Sequence, residues 1–286
     1  MAITGSGTQA DPWIVHDWEE FVTAVGTNQN DSYIELGNDI DAPAETTSAL
    51  TITYPKQIDG KGFSINGARA TVNNPFLIFQ SRATHAFQYL KNLFFKDINH
   101  DSTAALIQIE QLDYCGVYLT DVDFAGYFTK GYLFKTDGGT LIYGLNVNSS
   151  SINLDVSNGN FMLNKYDYAS DEFSNLNAQI RYINCSPSEK LLKKSSGTST
   201  ETIRYSTLRL YLEDTETKLD LGANLNNCYI IGKGSGIIVP SCSGVSVVEN
   251  TLPLETSASN IYSLPTADMK NPQKLHDNYG FPAGVN

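Results

Sequence analysis

The sequence predicts an all-β protein: a single right-handed parallel β-helix (a solenoid) with an N-terminal capping helix and a C-terminal closing segment. Three observations lead there. The 286 residues carry 17% charged against 41% hydrophobic side chains, with 16 Tyr and 13 Phe. Polarity must therefore come from Asn, Ser, Thr and Gly, which favour strands and turns over helices. From Tyr33 onward, short apolar or alternating runs recur, most of them ending in Gly, Asn, Asp or Ser. Hairpin dipeptides are few: Asp59-Gly60, Asn66-Gly67, Asp137-Gly138 and Asn158-Gly159. An antiparallel sandwich would need more of them, whereas stacked coils do not.

Taken in order, the chain divides into an N-terminal segment and capping helix (1–32), the β-helix (33–262) and a closing or docking segment (263–286). Asp17 is placed to cap the first helix, Glu20 to complete a capping box, and Gly26 to stop it. Trp18, Phe21, Val22 and Val25 fall on one face, which must lie against the first coil. Strands are then expected at Tyr33 to Leu36, Leu50 to Thr53, and Gln57 to Ile65 with a Gly60-x-Gly62 corner. Further runs follow from Phe76 to Phe79 through to Val245 to Val248. A weak repeat runs through them. Leu90-Lys91-Asn92-Leu93-Phe94-Phe95 returns as Leu225-Asn226-Asn227-Cys228-Tyr229-Ile230, in part as Tyr182-Ile183-Asn184-Cys185, and with Asp at Leu119 to Phe124. Asn tolerates a left-handed corner, and its amide is expected to bond the equivalent amide one coil away. Ile58, Leu93, Phe95, Val122, Leu145, Ile183, Leu225, Ile230 and Val247 are expected inside. Asn271 with Pro272 starts a last helix. In the closing segment Met269, Leu275 and Phe281 are expected to pack on the last coil or on a neighbouring chain, serving as interaction residues.

The net charge of −12 argues against nucleic acid, whose phosphates require clustered cations. The densest basic cluster, Lys190 to Lys194, reads as a solvated loop. No apolar run approaches the length of a membrane span. The start lacks a basic region followed by an apolar one, so no signal peptide is read there. Cys115, Cys185, Cys228 and Cys242 have no ligand spacing and read as core thiols.

Gly5 to Val15, with the following helix and Ile34-Glu35-Leu36-Gly37-Asn38-Asp39-Ile40, resembles the opening of pectate-lyase-like right-handed β-helix proteins. The blend is similar to β-helical structural proteins of bacteriophages and to surface proteins with GLUG-type repeats. Thr266 to Leu275 with Gly280-Phe281 resembles the closing segment of such β-helices. No GLUG-like repeat stands in the middle, and no catalytic motif of an enzyme family is present. The resemblance implies a non-enzymatic virion protein, capsid-decorating, fibre-like or tail-associated, made in the host cytoplasm. The partners it implies are other virion proteins, copies of itself in a homotrimer, and a host surface glycan.

The remaining motifs carry little chemistry. Gly232-Lys233-Gly234-Ser235-Gly236 precedes a strand, not the helix that a phosphate loop needs, and reads as a solenoid corner. His16, His85, His100 and His276 lack ligand spacing, and His100 beside Asp101 reads as a solvated turn. No metal or cofactor is expected. Carboxylates are the live alternative, since sugar-cleaving β-helices use them as acid and base or to hold calcium. Asp121 and Asp123 share a face if their segment is a strand. Asp167, Asp171 and Glu172 form a patch beside Tyr166 and Tyr168, whose rings suit sugar stacking. Glu213, Asp214 and Glu216 form another. These are binding candidates for a carbohydrate-binding or depolymerase reading. Deleting residues 264–286 is expected to weaken assembly more than thermal stability.

Overall fold

Six corner residues in one column shape the chain: Asn92, Asp121, Ser149, Asn175, Tyr205 and Asn227 all have φ between 47° and 56°. They follow positions that are paired in register from coil to coil: Lys91, Thr120, Asn148, Ser174, Arg204 and Asn226. Asn and Asp adopt this left-handed conformation more readily than other non-glycine residues, so the repeat read in the sequence marks a corner. The amide ladder expected along it is not formed. Asn92 donates to the Asp59 carboxylate at 3.0 Å, and Asn227 to its neighbour Asn226 at 2.8 Å. Equivalent positions hold Ser149 and Tyr205, so no continuous row of amides exists to stack. Backbone N–H groups just past the corner find another acceptor. Val122, Leu176 and Cys228 donate theirs to the hydroxyls of Ser150, Ser206 and Ser246, one coil on. A buried N–H left unpaired would be costly, which explains why these small polar side chains are fully buried.

The computed structural model describes residues 3–44, 48–69, 74–80, 87–110, 116–137, 144–157, 163–165, 171–183, 190–194, 201–212 and 216–282. Among them the solenoid strands pair in parallel, each with its counterpart in the next coil. One coil shows the pattern. Gly144–Asn148 forms the first side, Ser149 the corner, Ser151–Val156 the second side and Leu163–Lys165 the third. In the two preceding coils the hydrogen bonding is continuous around the corners, giving the long strands Phe87–Glu110 and Gly116–Asp137. The protein is a parallel β-helix. Its coils shorten toward the C-terminus, with a repeat of 30 residues at Leu176 to Ser206 and 18 at Cys228 to Ser246.

The interior is filled by stacked apolar columns. Phe95 and Phe124 lie parallel with ring centres 5.2 Å apart, and Phe134 meets Phe124 edge-on at 5.5 Å. Ile58, Leu93, Phe95, Val122, Leu145, Leu225 and Ile230 are buried in this core as expected. Ile183 is not, because Tyr182 occupies the inward position and Ile183 is half-buried. Cys228 is buried in the core, where loss of solvent pushes its thiol up to about 11; Cys242 is half-buried. Cys115 and Cys185 lie outside the described residues.

At the N-terminus, Trp13–Val15 already pairs in register with Ser32–Leu36, so the ladder begins before the helix. Helix α1 (Trp18–Val25) starts at Asp17, whose carboxylate accepts the Glu20 N–H at 2.9 Å. Glu20 reaches back to the His16 N–H at 2.9 Å, one residue beyond the partner a capping box uses. Gly26 ends the helix with φ −75°, a right-handed geometry that does not require glycine. Phe21 and Val25 are buried, and Trp18 packs on Phe76 with ring centres 5.3 Å apart. Behind the helix, Lys56 is fully buried. Its ammonium donates to the carbonyls of Thr27 and Gln29 and to the hydroxyls of Thr27 and Ser32, all between 2.8 and 3.0 Å.

The C-terminal segment contains helix α2 (Thr266–Met269) and helix α3 (Pro272–Tyr279). Asn271 caps α3 by accepting the Lys274 N–H at 3.0 Å, and Gly280 ends it with φ 70°. Met269, Leu275 and Phe281 are buried in a small second core with Val247, Leu264, Tyr229, Ile231, Val245 and Tyr262. Tyr229, Val247 and Tyr262 are register partners on one sheet. The segment therefore covers the outer flank of the last coils, and Val247 is buried there, outside the main core.

Candidate functional site

Of the acidic positions singled out in the sequence, Asp121, Asp123 and Asp171 serve the fold. Asp121 is itself a left-handed corner residue (φ 53°), so it and Asp123 do not alternate along one strand. The Asp123 carboxylate accepts the Ser151 N–H of the next coil at 2.6 Å. Asp171 is 1% exposed and accepts the Leu145 N–H at 2.7 Å. Inward placement follows from the strand period of two, since Asp171 lies two residues before the buried Phe173. Glu172 faces outward and lies 3.6 Å from Arg204. Tyr166, Asp167, Tyr168, Glu213 and Asp214 lie outside the described residues. His100 is not in a solvated turn. It is fully buried against the Phe128 ring at 4.6 Å, its Nε2 is 2.9 Å from the Ala104 carbonyl oxygen, and burial lowers its pKa.

The surface that does bring polar and aromatic groups together is the outer face of the second side. Alternation in Ser151–Val156, Asn177–Tyr182 and residues 208–212 sends every other residue outward. Parallel pairing in register then turns single residues into columns. One column runs Tyr127, Asp155, Arg181, Tyr211 and Lys233; its neighbour runs Ala125, Asn153, Gln179 and Arg209. The first column, with Ala125, Asn153 and Gln179 of the second, lines a groove of about 1110 Å³ that also includes Gly126 and the half-buried Ile183. Gly126 lets adjacent coils approach closely: a Cβ there would sit 2.3 Å from the Ile98 carbonyl oxygen.

Within the groove Arg181 holds Asp155 by two hydrogen bonds, Nε–H at 2.9 Å and Nη2–H at 2.6 Å. Gln179 donates to Asn153 at 3.3 Å. Tyr127 is 36% exposed, one of two large hydrophobic side chains that reach this level among the described residues. Coils are spaced by roughly 4.8 Å, so Tyr127 and Tyr211, three coils apart, are separated by roughly 14 Å. Charges balance, with Asp97 and Asp155 against Arg181 and Lys233. The groups are laid out in a line and do not converge on one point. Such a strip can bind along its length.

Sequence reasoning missed this strip. The alternation of each strand was readable, but which residues become neighbours depends on unequal coil lengths: 26 residues separate Asp155 from Arg181, and 28 separate Val122 from Ser150.

Comparison with known proteins places the fold in context. Residues 14–190 match the family described as "Putative pectate lyase-like adhesive domain". A solved structure titled as a putative immunoglobulin A1 protease from Bacteroides ovatus superposes with a TM-score of 0.54 at 13% identity, over 95% of this chain and 89% of that one. At that identity the likeness speaks to the fold alone. No curated protein matches the chain.

Proposed function

The chain belongs to the pectate lyase-like adhesive domain family, and on that premise we propose that it is a non-enzymatic attachment protein: a rigid β-helix that holds a surface through its lateral groove. The observation that carries this reading is the column Tyr127–Asp155–Arg181–Tyr211–Lys233, which presents amphipathic rings and a fixed ion pair on one rigid sheet. Rigid strands lose little entropy on contact, so side chains preset in register favour adhesion. In the groove Asp155 is held by Arg181, and outside it Asp123 and Asp171 are engaged by backbone N–H groups.

The setting we propose is the outside of a phage particle, joined to other virion proteins and meeting a host surface. Support for it is the similarity of the opening segment to β-helical structural proteins of bacteriophages. Binding of the purified chain to host cells, scored against Tyr127→Ala and Arg181→Ala, tests the adhesive reading. Undiminished binding by both variants would overturn it, as would turnover of a polysaccharide by the native chain. Antibody labelling of intact particles tests the setting.

A further inference from the structure

We propose that His100 is an acid-sensitive latch beneath the lateral groove: protonation of its buried ring opens the strand pairing at residues 98–100 and displaces Tyr127 from the binding strip. The inference rests on the adhesive reading and adds its regulation.

The surroundings of the ring favour its neutral form. His100 is 0% exposed, and its Nε2 lies 2.9 Å from the Ala104 carbonyl oxygen. A carbonyl can only accept, so Nε2 carries the proton and Nδ1 is left as a bare lone pair. Nδ1 is buried and has no hydrogen-bond partner among the described residues. A proton added there would place a full charge and an unpaired N–H in the core, against the Phe128 ring at 4.6 Å. Both are costly, and burial accordingly lowers the ring from its ordinary 6.5.

Two charged groups act on the ring. Asp101 favours its protonated form and Lys130, on the next coil, opposes it. They pair with each other at 3.0 Å, and Asp101 also accepts the Thr129 hydroxyl at 2.6 Å. This carboxylate is therefore already engaged when the new charge appears. Arg69, on the coil before, donates to the Ala44 carbonyl at 3.1 Å.

The pairing around His100 is short. Ile98, Asn99 and His100 are in register with Gly126, Tyr127 and Phe128, and the register breaks on both sides, between Phe95 and Ile98 and again after His100. Three residue pairs between two irregularities form a small unit that can open without unfolding its neighbours. Successive residues on a strand face opposite ways. Phe128 thus lies in the core against His100, while Tyr127 lines the groove, in register with Asp155. Opening of this unit reaches the strip directly. Its direction with pH follows from the lowered proton affinity: the opened segment binds the proton more tightly, so the closed pairing loses stability as pH falls below 6.5.

The experiment is hydrogen exchange by mass spectrometry on the full chain at about pH 7.5 and about pH 5, corrected for the intrinsic pH dependence, with attachment to host cells measured alongside. Peptides covering 98–106 and 126–131 should exchange about tenfold faster at the lower pH, the effect of one unit of altered proton affinity, while those covering 229–239 stay unchanged. Attachment should weaken over the same interval. His100→Gln keeps a donor for the Ala104 carbonyl and stays neutral, so both effects should disappear. Two exposed variants leave the core untouched and give an independent measure: Lys130→Gln should move the exchange transition to higher pH, and Asp101→Asn to lower pH. Equal exchange at the two pH values would overturn the latch, as would an acid response that persists in His100→Gln or ignores both charge variants. If the unit opens through His100 while Tyr127-dependent attachment is indifferent to acid, the link to the groove is wrong and the adhesive reading survives. If attachment at neutral pH is itself indifferent to Tyr127→Ala and Arg181→Ala, the adhesive reading falls, and with it the regulation of attachment.

Discussion

The Tyr229 hydroxyl donates a 2.7 Å hydrogen bond to the Met269 carbonyl, 40 residues away in the chain. It fixes the start of the C-terminal segment against the flank of the solenoid. Beside it the Thr266 hydroxyl donates to the buried Glu249 carboxylate, which also accepts the Gly232 N–H at 3.2 Å. The segment is thus built into the last coils.

That placement changes what truncation should do. Removing residues 264–286 uncovers Tyr229, Ile231, Val245, Val247 and Tyr262 together. Burial of Met269, Leu275 and Phe281 contributes roughly 1.5–3 kcal/mol each, offset in part by the entropy of ordering the segment. The truncated chain should melt several degrees lower and bind a hydrophobic dye. A melting temperature within a degree of the full chain would refute this and return the segment to a docking role alone.

Lys56 should leave a signature in the pH dependence of stability. Burial lowers its ammonium from 10.5 to about 8. Between those values the unfolded chain binds more proton than the folded one, so stability rises with pH across about 8 to 10.5 and is reduced below 8. The rise should be on the order of 1–3 kcal/mol. Lys56→Met should abolish it, and at neutral pH should cost about 1–3 kcal/mol by stranding the carbonyls of Thr27 and Gln29. Urea melts of the two proteins at successive pH values give the difference. Parallel curves would show that Lys56 is not the titrating group.

Tyr205 occupies a left-handed corner (φ 47°) with its side chain 46% exposed. A bulky side chain is disfavoured there by roughly 1–2 kcal/mol, while the exposed ring offers limited burial in return. Tyr205→Asn should raise stability by about 0.5–1 kcal/mol. Destabilisation would mean that the ring makes a contact worth more than the backbone relief.

No group of three or more His, Cys, Asp or Glu side chains suited to a metal ion occurs among the described residues. Chelator should therefore leave the melting temperature unchanged. A drop of several degrees, restored by calcium, would revive the carboxylate reading of the acidic patches.

Local chemistry was legible without any coordinates. The Asn92, Asp121 and Asn227 corners, the Asp17 and Asn271 caps and the alternating strands each depend on a few consecutive residues, whose backbone preferences and side-chain period act in place. Those signals add up to stacked coils, which is why the parallel β-helix could be read from the chain. The tertiary structure alone decided what depends on register. It placed Asp123 and Asp171 on backbone N–H groups, swung Tyr182 inward in place of Ile183, and laid Met269, Leu275 and Phe281 over the flank. It also aligned Tyr127, Asp155, Arg181 and Tyr211 into one strip. The physical reason is that a solenoid neighbour lies one coil away, and coils that vary between 32 and 15 residues carry no fixed period for a sequence to reveal.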